Sequence, residues 1–506
     1  ALSSVLLLNT TDVAEQEKTD ISLMSVGGGI GHTEIWGNES LSINTSYANL
    51  APYQALVPSN QDVRWRKPYE SLAGEAVFRS KGENNIFKLY TGFNHSTLDI
   101  DQEDINYSGL IRFRLKNNNL YVNSAYKHFL SNAWTLATGA SISMDKNNMD
   151  ILTDAIKSKE IGAHFKVRLK KNFSSRFQLN FGSEYFKLAY DENYTATDGN
   201  DYKSDFNNDL IAVFGETDIF FSNRFAMKLG ARGEHSKATQ AFNLAPRVSL
   251  AYKSGENGQF SLAYGDFYQD TSYAYAKFSK ELGAEKTSHY ILNYQYLGDG
   301  RTFRAEAYYK DYGNLVKFDT NRPQFDSNYN NLGSGYAAGL DVFWRDNKNI
   351  KNLDYWVSYS YLNTQRDYLN FAEKATPNFA PKNNFSLVTK YWVNDWRSQV
   401  GFSYTHASGR PYDNPNTESF LAEKTKAYNN LSVNWAYLIS PQKILYCSVS
   451  NVLGFDNVNG YQYADAPNAN GVFDRRTIRP NADTFFFVGF FWTISTDKTS
   501  NQLDNL

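Results

Sequence analysis

The chain has 506 residues, 16% of them aromatic and 21% charged, with a formal net charge of −2. That balance offers no basic footprint for nucleic acid, and a single cysteine, Cys447, leaves neither an intrachain disulfide nor a thiolate zinc site. Mean hydropathy is negative, and no run approaches the roughly 20 apolar residues that a spanning helix needs.

What the chain does contain is alternation. In hydrocarbon every backbone N–H and C=O must be paired, so a chain without spanning helices crosses a bilayer only as a closed barrel. Each strand then needs only about 9–11 residues, every second one facing lipid. Reading from Lys18 onward, alternation and turn chemistry predict an all-β chain forming an antiparallel transmembrane β-barrel of about 22 strands over 18–495. Residues 496–506 are read as a periplasmic C-terminal tail.

In chain order, the first strand falls near Asp20–Val26, followed by a tight hairpin at Gly27-Gly28-Gly29. Short turns, placed in the periplasm, follow at Gly37-Asn38-Glu39, Phe173-Ser174-Ser175, Ser222-Asn223, Gly298-Asp299-Gly300 and Pro441-Gln442. Long polar connections, placed outside the cell, are read at 51–69, 145–159, 191–208, 271–286, 318–331, 370–382, 412–424 and 461–482. Between Asp99 and Trp134 two turn-like segments compete. The reading places the membrane-edge turn at Ser131-Asn132-Ala133 and treats 109–119 as an outer hairpin. The last strand, 483–495, should pair with the first and turn Phe486, Val488, Phe490, Trp492 and Ile494 to lipid.

On the strand carrying Phe303, Ala305, Ala307 and Tyr309 toward lipid, Arg304 and Glu306 face the lumen. Arg232 and Arg247 face it from two other strands, so the interior is wet or holds a polar occupant. Candidate ligand contacts lie in the outer loops: Arg64, Trp65 and Arg66, then Arg475 and Arg476, whose guanidinium groups suit an anionic ligand or lipopolysaccharide phosphates. An aromatic loop from Tyr268 through Tyr273 to Phe278 is a second candidate surface. The acidic stretch Asp99, Asp101, Glu103, Asp104 lacks the glycine of an EF-hand loop and reads as solvated. The seven histidines show no metal-ligand spacing, and no nucleophile elbow or cofactor fingerprint occurs, so neither an enzyme nor a cofactor or metal site is expected.

Several segments resemble the barrel of TonB-dependent outer-membrane receptors, especially compact Bacteroidetes-type members. They are Leu229-Gly230-Ala231-Arg232-Gly233-Glu234-His235, Asn243-Leu244-Ala245-Pro246-Arg247-Val248-Ser249-Leu250, Ala305-Glu306-Ala307-Tyr308-Tyr309-Lys310-Asp311-Tyr312, Gly335-Tyr336-Ala337-Ala338-Gly339-Leu340-Asp341 and Ser408-Gly409-Arg410-Pro411-Tyr412. The resemblance implies import of a scarce ligand (iron chelate, haem, cofactor or peptide) across the outer membrane of a Gram-negative cell, with energy delivered through TonB. It also implies Arg410 and Tyr412 at the outer mouth. Residues 1–17 resemble the end of the family's plug domain and its linker, so most of the plug and the TonB-contacting segment are expected upstream or in trans. The alternative reading is a barrel subunit of a larger surface or secretion assembly, with an outer-membrane or lipoprotein partner.

Overall fold

The computed structural model describes residues 11–57, 63–480, 482–503 and 506. Within them 22 strands form one antiparallel sheet, and it closes because Lys18–Met24 pairs with Phe485–Ser495, Ile21 opposite Trp492 and Leu23 opposite Phe490. Closure is what removes the unpaired edge that hydrocarbon cannot solvate. No helix of the described residues is long and apolar enough to cross a membrane.

The period-2 pattern of the last strand becomes its two faces. Phe486, Val488 and Ile494 stand 50%, 48% and 44% exposed, whereas Phe491 and Thr493 are 7% and 1% exposed. Opposite them Leu23 is 61% exposed. Large apolar side chains presented in a continuous outward belt, with polar groups inside, suit lipid and not water.

Several strands are much longer than a membrane requires: Leu110–Phe129, Asp154–Ser174 and Asp201–Phe220 have 20, 21 and 20 residues. Their outer halves stand clear of the lipid, where charged residues such as Arg112, Arg114 and Lys116 take the outward face and the apolar outward belt ends. That is why three sequence expectations fail. The stretch 109–119 is no separate hairpin but the start of the single strand Leu110–Phe129, although the turn at Ser131–Ala133 holds, with the Ser131 hydroxyl accepting from the N–H groups of Ala133 and Trp134 at 3.2 Å. The supposed loop 145–159 is the tip of two long strands, Ile151 opposite Asp154. Likewise 191–208 is mostly strand, with Asp201 opposite Thr195. The first hairpin also differs in detail: its turn is Ser25-Val26, and the glycines open the second strand, Gly27–Trp36. Gly27 has φ +146°, and a Cβ there would lie 2.0 Å from the Tyr47 carbonyl oxygen, so only glycine fits.

At one end the connections are short, as at 37–38, 130–133 and 441–442; at the other lie 270–284, 318–329, 368–382, 408–427 and 451–484. The barrel begins and ends at the short-turn end. There the segment before the first strand touches the inner wall, Asp12 pairing with Lys88 at 2.7 Å. After the last strand the chain folds back, and Leu503 and Leu506 pack on an inner-wall apolar patch of Ala436, Ile444 and Phe491. The plug-like segment 1–10 lies outside the described residues.

Candidate functional site

Two regions gather the polar and aromatic side chains: the mouth at the long-loop end and a stretch of inner wall below it. At the mouth the loops form a linked arc. Helix Tyr273–Ala276 in loop 270–284 stacks Tyr273 on Tyr190, ring centroids 4.2 Å apart, and Lys277 pairs with Glu192 at 2.6 Å. Burial, then Glu160, raises the Tyr273 phenol to about 12. Tyr275 and Phe278 meet Phe318 and Phe325 of the next loop, which is tied in turn by the Asn321 carbonyl to Asn370. Phe371 then meets Phe420, with ring centroids 5.1 Å apart.

The arc ends in two short hairpins. Pro411–Tyr412 pairs with Glu423–Lys424, and Gly460–Tyr463 pairs with Arg475–Ile478. They interlock: Arg410 donates to the Asn459 carbonyl at 2.6 Å, Asn416 exchanges bonds with Phe473, and the Tyr412 and Tyr461 rings lie 4.6 Å apart. Arg475 lies over Tyr461 at 4.3 Å and donates to the Tyr412 hydroxyl at 3.3 Å. Tyr412 donates to Glu423, which also accepts from Asn414 at 2.8 Å. Those two bonds hold the Glu423 carboxyl below the ordinary carboxylate range, while burial followed by the Glu423 bond raises the Tyr412 phenol. The last loop then reaches loop 104–109 through Gln462 to Asp104 at 2.8 Å, the Asp465 N–H to Asn106 at 2.7 Å, and Arg476 to the Glu103 carbonyl.

Below the mouth, strand pairing brings Arg232 of Phe225–Ser236 and Arg247 of Ala241–Lys253 to a cavity of ≈ 870 Å³. Glu184 is its anchor, 8% exposed, with Lys166 at 2.5 Å and Arg232 also bonded to it; Arg232 further bonds Glu234 at 2.9 Å. Arg247 faces the Phe267 ring at 4.6 Å. Each cation is therefore held in place, and the wall offers fixed charge to whatever fills the lumen.

The mouth brings together Arg410, Tyr412, Arg475 and Arg476 of the sequence-predicted residues. Tyr273 is at the other end of the arc. Tyr268 is on strand Gly258–Gln269, beside the lumen cavity. Arg64, Trp65 and Arg66 are not in a loop: they begin strand Val63–Lys81, and Arg66 is held by Asp101 at 2.7 Å. Arg304 and Glu306 sit farther round the wall on Arg301–Lys317, Glu306 accepting from Asn293 at 3.4 Å. The aromatic loop 268–278 is not a free partner surface, because its rings are packed into the arc. Sequence reading missed Tyr461, Tyr463, Glu423 and Glu184; the Tyr-x-Tyr that the structure sets across one short hairpin from Arg475-Arg476 is the signal that would have found the first two. Among the described residues no group of His, Cys, Asp or Glu is placed to hold a metal ion.

The family model for TonB dependent receptor-like β-barrels matches residues 36–458. The chain belongs to that family. This receptor barrel is accordingly an outer-membrane transport protein and not an enzyme, and its transport is energised through TonB. Solved structures agree in fold. The ferric-catecholate import receptor Fiu from K12 E. coli, closed form, matches at 11% identity and a TM-score of 0.71, over 95% of this chain and 82% of that one. The siderophore receptor PiuA from Acinetobacter baumannii matches at 11% and 0.73, over 96% and 82%. The FrpB iron transporter from Neisseria meningitidis matches at 11% and 0.71, over 96% and 82%. No curated protein matches the sequence significantly.

Proposed function

We propose that this receptor imports an anionic, aromatic iron chelate captured at the linked mouth loops. The observation that carries it is the Tyr412–Tyr461–Arg475 cluster: an exposed guanidinium over one phenol ring and bonded to another, a surface for a planar ligand bearing negative oxygens. The neighbours described as ferric-catecholate, siderophore and iron receptors support the same choice. Residues 1–17 serve as the end of a plug and its linker, and 18–495 as the barrel. The plug, supplied upstream or in trans, seats against the charged inner wall around Glu184, Arg232 and Arg247 and carries the contact to TonB. Family membership in transport receptors does not favour a purely structural subunit, and a lipoprotein or other outer-membrane partner is at most an addition to transport. Titration with a ferric catecholate, followed by quenching of intrinsic fluorescence, tests the site. R475A should weaken binding several-fold, since a cation–π contact of this kind contributes about 0.5–2 kcal/mol. Unchanged affinity in R475A, Y461A and Y412F alike contradicts the assignment.

A further inference from the structure

The wall of long strands from Val63–Lys81 round to Asp201–Phe220 rises above its neighbours and so has two upright edges. On one side strand Glu39–Asn49 stops where Asn49 meets Glu70, leaving 63–69 without a partner strand there. That edge is blunted. Pro68 has no N–H to offer, and the pairing of the same stretch with its other neighbour slips twice, between Trp65 and Lys67 and between Lys67 and Glu70. On the other side strand Phe225–Ser236 stops where Ser236 meets Leu210, and 201–208 runs on in unbroken register with Phe177–Thr195 alone.

The direction of the backbone groups along this second edge follows from its two ends. The Asn200 carbonyl accepts from the Ala196 N–H on the paired side, and the Asp209 carbonyl accepts from the Lys237 N–H on the other, both at 2.9 Å. Successive residues of a strand alternate the side to which their backbone groups point, so the N–H and C=O of Lys203, Asp205 and Asn207 point to the open side. Among the described residues none of these groups has a partner there, and all three residues are exposed. The side chains tell what the open side lacks. On the outer face Lys159, Asp191 and Asp205 follow one another across the sheet, so two carboxylates lie directly opposite each other, which is destabilising. Asp209 is met by Lys187 and Lys237 at 3.6 and 3.4 Å, whereas among the described residues neither Asp191 nor Asp205 has an ion pair. On the inner face Phe206 borders a cleft of ≈ 290 Å³ between the edge and loop 270–284, with Ala276 and Leu282 also lining it.

We propose that the edge 201–208 takes an extended segment of a partner protein as an added antiparallel strand, bearing an apolar residue, then Lys or Arg, then an acidic residue two positions on. In that register the apolar side chain is opposite Phe206 and enters the cleft, the cation is opposite Asp205, and the acid is opposite Lys203. Main-chain bonds to an open edge supply affinity in this mode, and alternate side chains supply specificity. The charges at the edge keep out unselected strands. They also exclude a second copy of this strand centred on itself, which would set Asp205 opposite Asp205. Because the free backbone groups point along the wall and the two carboxylates face outward, the added strand is held beside the import route and not within it.

Two synthetic peptides of one composition test this on the full chain in neutral detergent: a Thr- and Ser-rich strand with Leu-Lys-Thr-Glu at its centre, and the same strand with Lys and Glu exchanged. Binding is read by fluorescence anisotropy, and the edge by hydrogen exchange of 201–209. The first peptide should bind roughly tenfold more tightly, the scale of two opposite-charge pairs against two like-charge pairs, and should slow exchange at the edge. K203D/D205K, which exchanges two exposed side chains, should reverse the preference. Methylating the backbone nitrogen of the peptide's lysine, which faces the edge, should abolish binding, whereas methylating that of the adjacent leucine, which faces away, should not. Saturating ferric catecholate should leave peptide binding unchanged. Equal affinity for the two peptides, no reversal in the variant, indifference to which nitrogen is methylated, displacement by ferric catecholate, or no binding at all overturns the site. Should the double variant fail to fold, the two methylated peptides decide on the parent protein alone.

Discussion

Glu184 is a carboxylate enclosed on a water-filled wall, with an ammonium and a guanidinium bonded to it. Removing its charge leaves Lys166 without a counter-ion beside Arg232, which keeps only Glu234. E184Q should therefore destabilise the barrel by roughly 1–3 kcal/mol, less than for a dry ion pair because Lys166 remains in contact with water. Urea unfolding in lipid vesicles checks this, and a change below about 0.5 kcal/mol, the usual range of surface substitutions, contradicts it. At the mouth the carboxylates behave differently. The Tyr412 and Asn414 bonds lower Glu423, the Lys426 ammonium lowers Asp456, and the Asn328 bonds lower Asp319. A carboxyl held lower in the folded state than its unfolded value near 4 contributes its full stabilisation above that value and loses it as pH falls through the lowered one. Loops 318–329, 408–427 and 451–484 should hence resist protease from pH 8 to about 5 and open as pH falls below about 4. Opening on raising the pH from 5 to 8 runs against this.

At the scale of the strand, facing is decided by register. Phe490 is opposite Leu23 and Leu445 on the lipid side. F490K should cost roughly 2–4 kcal/mol in bilayer folding, whereas a lysine at the inward Phe487, beside the inner-wall apolar patch, should cost less because its ammonium can reach the polar lumen. Equal cost at both positions contradicts the facing. Sequence made this legible because the belt imposes strict alternation: Phe486, Val488 and Ile494 stood out, as did the lumen parity of Arg232 and Arg247. Where the strands rise above the lipid that constraint ends, so Asn117-Asn118-Asn119 looked like a turn although Asn117 and Asn119 bond Asp145 within a continuous sheet. The mouth was legible only in parts. Arg475 and Tyr412 carry recognisable chemistry, but that they meet is set by how two loops fold over the barrel, and no local pattern records it. The same holds for Glu184 with Arg232, which strand pairing alone brings together.

As a whole the molecule is a rigid wall with a linked mouth and a charged lumen. The inner face around the ≈ 870 Å³ cavity is too polar to pack on itself, so it requires water or a polar occupant. Reconstituted alone, the 506-residue chain should pass small sugars in liposome swelling, and the same barrel with a plug in its lumen should not. A tight seal by the chain alone means that its own loops close the channel.

The most direct test of energised import is uptake of a labelled ferric catecholate by cells in which this barrel, with its plug, is the sole receptor for the chelate. Uptake should be saturable, should fall to background when TonB is removed or the proton gradient is collapsed, and should drop with R475A in step with binding. Uptake that continues undiminished without TonB contradicts the account.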